Sequence, residues 1–353
     1  MPEPSPTSKR RGRLVRIGAA VAVLLALAGY LSVQYLTGGT GGPGCKVVSG
    51  KGDGASYEFT PEQGVNAATI AAVGTGRGMP ERAVTIALAT ALQESGLHNI
   101  QHGDRDSLGL FQQRPSQGWG TPKEIMDPAY AAGIFYAHLA KVPGYTRLPL
   151  TVAAQRVQRS GFPQAYAKHE PDATLLAAAL TGRAAATLTC QGRPGATRTT
   201  GPDAVRAALM RDFGRDVVQE AGAEVGDGGG SSPAPTPAGS SGTSDSSGTS
   251  DSSGTSDSSG TSDSSGTSGA GGRTVTLPVS AGTAAAGIGA RQRGWQLAHW
   301  AVANASALHI DRVSYAGREW TAGITDSPWR SDGAGGAGGA ERDAGAVRIT
   351  TGR

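Results

Sequence analysis

The chain has 353 residues, enough for two folded units, with 55 glycines and aromatics at 5%, and the glycine excess falls mostly in stretches that read as linker. Its formal charge of +4 is scattered, and no basic stripe interleaves with aromatics, which argues against nucleic-acid binding. Two distant cysteines exclude a disulfide-rich scaffold and a cysteine-only metal cluster.

Residues 1–16 form a basic tail with Lys9, Arg10, Arg11, Arg13 and Arg16, and residues 17–36 carry no charge. About 20 helical residues cross the ~30 Å hydrocarbon core of a bilayer, and Tyr30 and Tyr35 suit an interfacial belt. The expectation is a single transmembrane helix in the plasma membrane, with the N-terminus cytoplasmic and the bulk of the chain extracytoplasmic. A cleaved signal peptide is the alternative, because Ala26-Leu27-Ala28 resembles a small-residue cleavage site. Residues 37–56 read as spacer.

Thr60-Pro61-Glu62-Gln63 carries the marks of a helix start: Thr as N-cap, Pro in the first turn and Gln closing a capping box. A second helix opens at Pro80-Glu81, runs to Ser95 and stops at Gly96. Its apolar residues cover most of its circumference, as in a buried central helix. Asp127-Pro128 opens a third, and 150–157 and 172–181 supply two more. The period-two pattern of strands is absent, so residues 57–190 read as an all-α domain and the chain as mainly α. Residues 191–225 connect onward, with one amphipathic helix. Residues 226–272 hold the tandem hexapeptide Gly-Thr-Ser-Asp-Ser-Ser and read as a low-complexity linker without a core. Residues 273–353 read as a small α+β module with a helix over 291–309 and strands around Val313 and at 346–350.

Cys45 and Cys190 bracket the helical domain. Two readings stand: a disulfide closing a long loop, which contributes about 4–5 kcal/mol, or two unpaired thiols at the domain edges.

One constellation places an acid in an apolar setting: Ala91-Leu92-Gln93-Glu94-Ser95-Gly96-Leu97, then Ser107-Leu108-Gly109-Leu110-Phe111-Gln112-Gln113. Glu94 falls in the last turn of its helix, where the negative end of the dipole disfavours a second negative charge. Its neighbours one turn back, Thr90 and Ala91, and two turns back, Ala87, offer no cation. A wall of Leu97, Leu110 and Phe111 desolvates it further, and each effect raises its pKa toward that of a general acid. The alternative is a solvated helix-end carboxylate.

Glu94-Ser95-Gly96 and Ser107 to Gln112, with the polar loop between them, resemble the Glu-Ser and Gly-Leu-Met-Gln signature of lytic transglycosylases and goose-type lysozymes. The resemblance covers residues 57–190 and implies a lysozyme-like α-domain with a glycan-binding groove that cleaves peptidoglycan strands. It makes Glu94 the catalytic acid/base and Ser95 its positioning partner. It places Gly109, Leu110, Phe111, Gln112 and Gln113 along the groove, with Gln112 on a sugar substituent. The family's later Tyr-Asn-Ala-Gly motif is replaced by Ala154-Gln155-Arg156-Val157-Gln158-Arg159-Ser160-Gly161, so Gln158 or Arg159 takes its place in substrate binding, with Tyr166 within approach. The variant is similar to lysozyme-like domains of actinobacterial secreted wall proteins. A non-catalytic peptidoglycan-binding or scaffold protein with a degenerate groove is the alternative.

Hydrolysis uses a pair of carboxylates, whereas a lytic enzyme works with one acid and the substrate's own hydroxyl. Asp104 and Asp106, in the loop between the two motifs, are the candidates for a second carboxylate, against a reading as turn or salt-bridged surface. His98 and His102 beside them match no metal-loop spacing, and no cofactor or metal is expected. Trp119 is either a sugar-stacking platform or a core residue. His299 and His309 read as helix-surface histidines, and the tail, with no nucleophile or metal set, reads as a binding or docking module.

Overall fold

Cys45 and Cys190 face each other across two antiparallel strands and are joined by a disulfide spanning a sequence separation of 145. The computed structural model that shows this describes residues 44–161, 164–192, 201–215, 217, 273–279, 289–323, 328–331 and 345–352. The first sheet runs in the order β2-β1-β3, with β1 Cys45–Val48, β2 Ser56–Phe59 and β3 Leu188–Cys190, both pairings antiparallel. Cys45 and Val47 of β1 point into the core while Lys46 and Val48 face out, the alternation of a half-buried strand. The sheet ties together the two ends of the segment that holds the helices of the site.

Those helices are α1 (Pro61–Gly76), α2 (Glu81–Ser95), the short α3 (Pro122–Ile125), α4 (Pro128–Leu139), α5 (Leu150–Gln158) and α6 (Glu170–Leu180). The Thr60 hydroxyl accepts from the Gln63 amide nitrogen and the Gln63 side chain accepts in return from Thr60, so the capping box is formed. Asp127 caps α4 by accepting from the backbone of Ala129 and Tyr130. In α2 the stretch Ala83 to Leu92 is buried on every side. Its alanines let α1, α5 and α6 approach closely, while each larger side chain such as Ile86 or Leu88 contributes about 1.5–3 kcal/mol on burial.

After α7 (Pro202–Phe213), the C-terminal segment forms α8 (Ala290–Ala303), α9 (Ala305–Leu308) and a second antiparallel sheet in the order β4-β8-β5-β6-β7. Its strands are β4 Thr274–Pro278, β5 Ile310–Tyr315, β6 Arg318–Thr321, β7 Arg330–Ser331 and β8 Ala346–Thr351. Helix α8 lies between this sheet and the first set of helices, touching β5 and β8 on one side and α1, α6 and β3 on the other. Gly294 is required there, because a Cβ would overlap the Tyr315 ring. The contact is polar as well as apolar. Gln296 donates to Thr75 Oγ1 at 2.6 Å, and the Asp212 carboxylate, buried at 3% exposure, accepts from Thr69 Oγ1 and Trp300 Nε1. Trp320 and Trp329 donate their indole N–H groups to the carbonyls of Cys190 and Leu188. Both segments therefore share one hydrophobic core.

Several expectations are corrected. The mainly α architecture gives way to nine α-helices combined with two antiparallel sheets among the described residues. Strands β2 and β3, of four and three residues, are too short to display a period of two, and β1 lies in the stretch read as spacer. The single-pass membrane topology, and with it the plasma-membrane localisation and the membrane as partner, is not supported: among the described residues no helix is long and apolar enough to cross a membrane. The longest of these, α1, has 16 residues, short of the ~20 that a span needs. The 17–36 stretch itself, the linker 226–272 and the glycine-rich 333–339 lie outside the described residues. His299 is fully buried rather than on a helix surface. Its Nε2 accepts from the Thr187 amide at 3.3 Å, so Nδ1 carries the proton and donates to the Ala179 carbonyl at 2.8 Å. Burial pushes its pKa down to about 4, which keeps this interface histidine neutral.

Candidate active site

Helix α2 ends on Gly96, whose left-handed backbone (φ 62°) turns the chain; the Gly96 amide bonds the Leu92 carbonyl and the Leu97 amide that of Ala91. The carbonyls beyond the last turn are then satisfied from α1, Gln63 Nε2 donating to Gly96 and Asn66 Nδ2 to Leu97, both at 2.8 Å. Glu94 thus stands on a helix end held by two neighbouring amides. No sequence signal pairs Gln63 and Asn66 with the end of α2, because the contacts cross more than 30 positions.

Over this helix end folds the turn 107–113. Leu108 and Gln113 exchange both backbone hydrogen bonds, at 2.9 and 3.0 Å. Gly109 adopts φ 73°, and a Cβ there would meet the Ile125 carbonyl at 2.7 Å, so this glycine is fixed by both conformation and space. Ser95 Oγ reaches the Leu110 carbonyl at 2.8 Å and that of Ala91 at 3.1 Å, sharing one proton between them. Gln158, the last residue of α5, donates to the Phe111 carbonyl at 2.7 Å. The turn is therefore pinned from both sides by its own backbone oxygens.

Glu94 itself is partly buried. The Tyr166 hydroxyl, from a 3-10 turn at Ala165–His169, donates to Glu94 Oε1 at 2.7 Å. The Gln158 side chain lies near enough to the same carboxyl to favour its ionised form. Loss of water raises the Glu94 pKa more than these two neighbours lower it, and the net displacement is upward. Both partners are neutral donors, and no cation among the described residues pairs with Glu94. Such a carboxyl holds its proton longer than a solvated one while keeping two donors aimed at its ionised form.

Other expected site residues are placed differently. Leu110 and Phe111 are fully buried, with the Phe111 ring stacked on Phe135 at 4.7 Å, so their side chains support the turn from beneath instead of lining a groove. Gln113 is 1% exposed and spends its amide on the Ala131 carbonyl, so it too is structural. Gln112, at a left-handed φ of 48°, directs Nε2 to the carbonyls of Gly109 and His102 at 3.3 and 3.4 Å. Asp106 accepts from Arg114 Nε at 2.7 Å and from the Ser116 amide at 2.8 Å, and these bonds hold its carboxyl far below the usual range. The Asp104 side chain is 90% exposed, beside Arg105. Asp106 is a loop brace and Asp104 an exposed surface charge. His98 pairs with Glu62 at 3.1 Å.

Beside Gln158 opens a cleft of about 680 Å³ walled by Trp119 and His138, whose rings stack at 4.3 Å. Arg159, which the sequence offered in place of the missing motif, caps α5 in a left-handed conformation and lies on this cleft. Compared with protein-family models the chain matches none, and no curated protein is significantly similar to it.

Proposed function

We propose that this chain cleaves the β-1,4 glycosidic bonds of peptidoglycan strands, with Glu94 as general acid and then base. The observation that supports it most is the Glu94 carboxyl: desolvated, without a cation, raised in pKa, bonded by Tyr166 and close to Gln158. The similarity of the 94–96 and 107–112 stretches to lytic transglycosylases and goose-type lysozymes points the same way. In this scheme protonated Glu94 gives its proton to the glycosidic oxygen as the C1–O bond breaks. The carboxylate left behind stabilises the oxocarbenium-like sugar, and Tyr166 and Gln158 stabilise that carboxylate. A hydroxyl then bonds to C1 and returns its proton to Glu94.

That hydroxyl belongs to water in a hydrolase and to the C6 position of the same sugar in a lytic enzyme, which yields an anhydro end. Hydrolysis needs a second carboxylate near the bond. The engagement of Asp106 and the exposure of Asp104 leave the lytic product as the better supported of the two. Incubating the full chain with purified peptidoglycan and identifying the released fragments by mass spectrometry tests the proposal. Anhydro ends are expected. Reducing ends instead reassign the product, and binding without release replaces the enzyme with a wall-binding protein.

A further inference from the structure

The cleft beside Gln158 collects positive charge without a counterion. Lys141 follows the end of α4, and Arg156 and Arg159 stand at the end of α5; all three are exposed and line the cleft. None pairs with a carboxylate among the described residues, and no carboxylate is in the cleft wall. Burial first, and then the charges of Lys141 and Arg159, push the His138 pKa down, so two of the three cations bear on the same point of the wall. His138 is thereby kept neutral and serves as half of the aromatic wall it forms with Trp119. Like charges gathered over a low-dielectric wall repel one another until an anion enters, and a concave site focuses their field.

The position of the cleft says which anion. Gln158 lines it, donates to the Phe111 carbonyl and lies near enough to the Glu94 carboxyl to favour its ionised form, so one side chain stands between cleft and acid. A polymer bound with a bond at Glu94 would carry its neighbouring substituents past Lys141, Arg156 and Arg159. We propose that the cleft is an anion subsite that takes a carboxylate of the stem peptide appended to the glycan strand, a proposal resting on the assignment of Glu94 as the glycosidase acid. Guanidinium groups suit this role, since they bind oxyanions in a planar, two-pronged geometry.

A phosphate appended to the strand offers similar chemistry, and the test separates the two sources. The full chain carrying Glu94→Gln, which leaves strands uncut, is titrated with soluble peptidoglycan strands in three forms: untreated, with carboxylates amidated, and with phosphate removed by hydrofluoric acid. Amidation is expected to weaken binding about tenfold, by a factor that shrinks as salt is raised. The combined variant Lys141→Gln, Arg156→Gln and Arg159→Gln should lose this preference and melt at the parent temperature. Weakening on phosphate removal instead keeps the anion site and changes its ligand. Equal affinity for all three forms, or a preference that survives in the triple variant, overturns the subsite. If Glu94→Gln cuts the strands, the acid assignment fails, while the anion preference is still read from the affinities.

Discussion

The Tyr166 hydroxyl meets Glu94 Oε1 at 2.7 Å across 72 positions of sequence. Tyr166 has no solvent exposure, and burial, reinforced by the Glu94 charge, pushes its own pKa up. It is therefore a permanent donor, and its bond favours the ionised form of the acid against the opposing effect of desolvation. The pair tempers the upward pull of burial on the proton affinity of Glu94.

Tyr166→Phe removes that donor and leaves the ring. The Glu94 pKa should then move further up, and the alkaline limb of a pH–rate profile should move with it to higher pH. A hydrogen bond to a charged group is worth about 1.5–3 kcal/mol at most, so the rate at the optimum should fall by roughly tenfold to a hundredfold. A carboxyl-carbon NMR titration of Glu94 reads the displacement without turnover. A titration unchanged by the substitution contradicts the assigned role.

Asp106 ties the loop between the two motifs to Arg114 and Ser116. Its folded pKa lies far below the unfolded one, so its contribution is full above the usual carboxylate range and is lost progressively as pH falls from that range down to the depressed folded value. Asp106→Asn should melt earlier than the parent at neutral pH, and the gap should narrow in acid. Melting curves at pH 7 and pH 3 check this. If Asp106 were instead a second catalytic carboxylate, Asp106→Asn would abolish turnover at temperatures where the fold is intact.

Asp212 is the polar centre of the packing between α1, α7 and α8, accepting from Thr69, Trp300 and Arg211. Asp212→Ala leaves two buried donors without a partner and should cost about 2–4 kcal/mol in urea unfolding. Because Trp300 loses its acceptor, its emission should change before the main transition. A loss under 0.5 kcal/mol, the scale of an ordinary surface substitution, contradicts that placement.

Reducing the Cys45–Cys190 bond opens a loop of 145 positions, whose closure is worth about 5 kcal/mol in the chain-entropy account. A large drop in melting temperature on adding a thiol reductant is expected, and the Cys45→Ser, Cys190→Ser double variant should show no such response. An unchanged melting curve for the parent contradicts the closure role.

What the sequence shows and what it hides divide along the range of the interactions. The Thr60 capping box, the Gly96 stop and the place of Glu94 on the last turn of α2 are local, and their residue types are visible within a few positions. The first sheet is not, because β1 meets β3 only through the fold and each strand is too short to show a pattern. Leu110, Phe111 and Gln113 are expected along the groove because their stretch resembles the transglycosylase motif, but the packing onto Phe135 and Ala131 shows that they face inward. The same holds for His299: α8 is polar enough to pass for a surface helix, yet two layers cover it. Tyr166 and Gln158 were legible as candidates, and their places beside Glu94 are set by α5 and the 3-10 turn after it.

Replacing the Glu94 carboxyl with an amide tests most directly the proposed role of Glu94 in moving the proton that breaks the glycosidic bond. The full wild-type chain and its Glu94→Gln form are given the same purified peptidoglycan, with melting temperature and strand binding measured alongside. Release of anhydro fragments by the wild type, with at least about a hundredfold less from Glu94→Gln at equal binding and an intact fold, is the expected result, given that acid–base catalysis contributes about 10²–10⁴ in rate. Release from Glu94→Gln at the wild-type rate would contradict it.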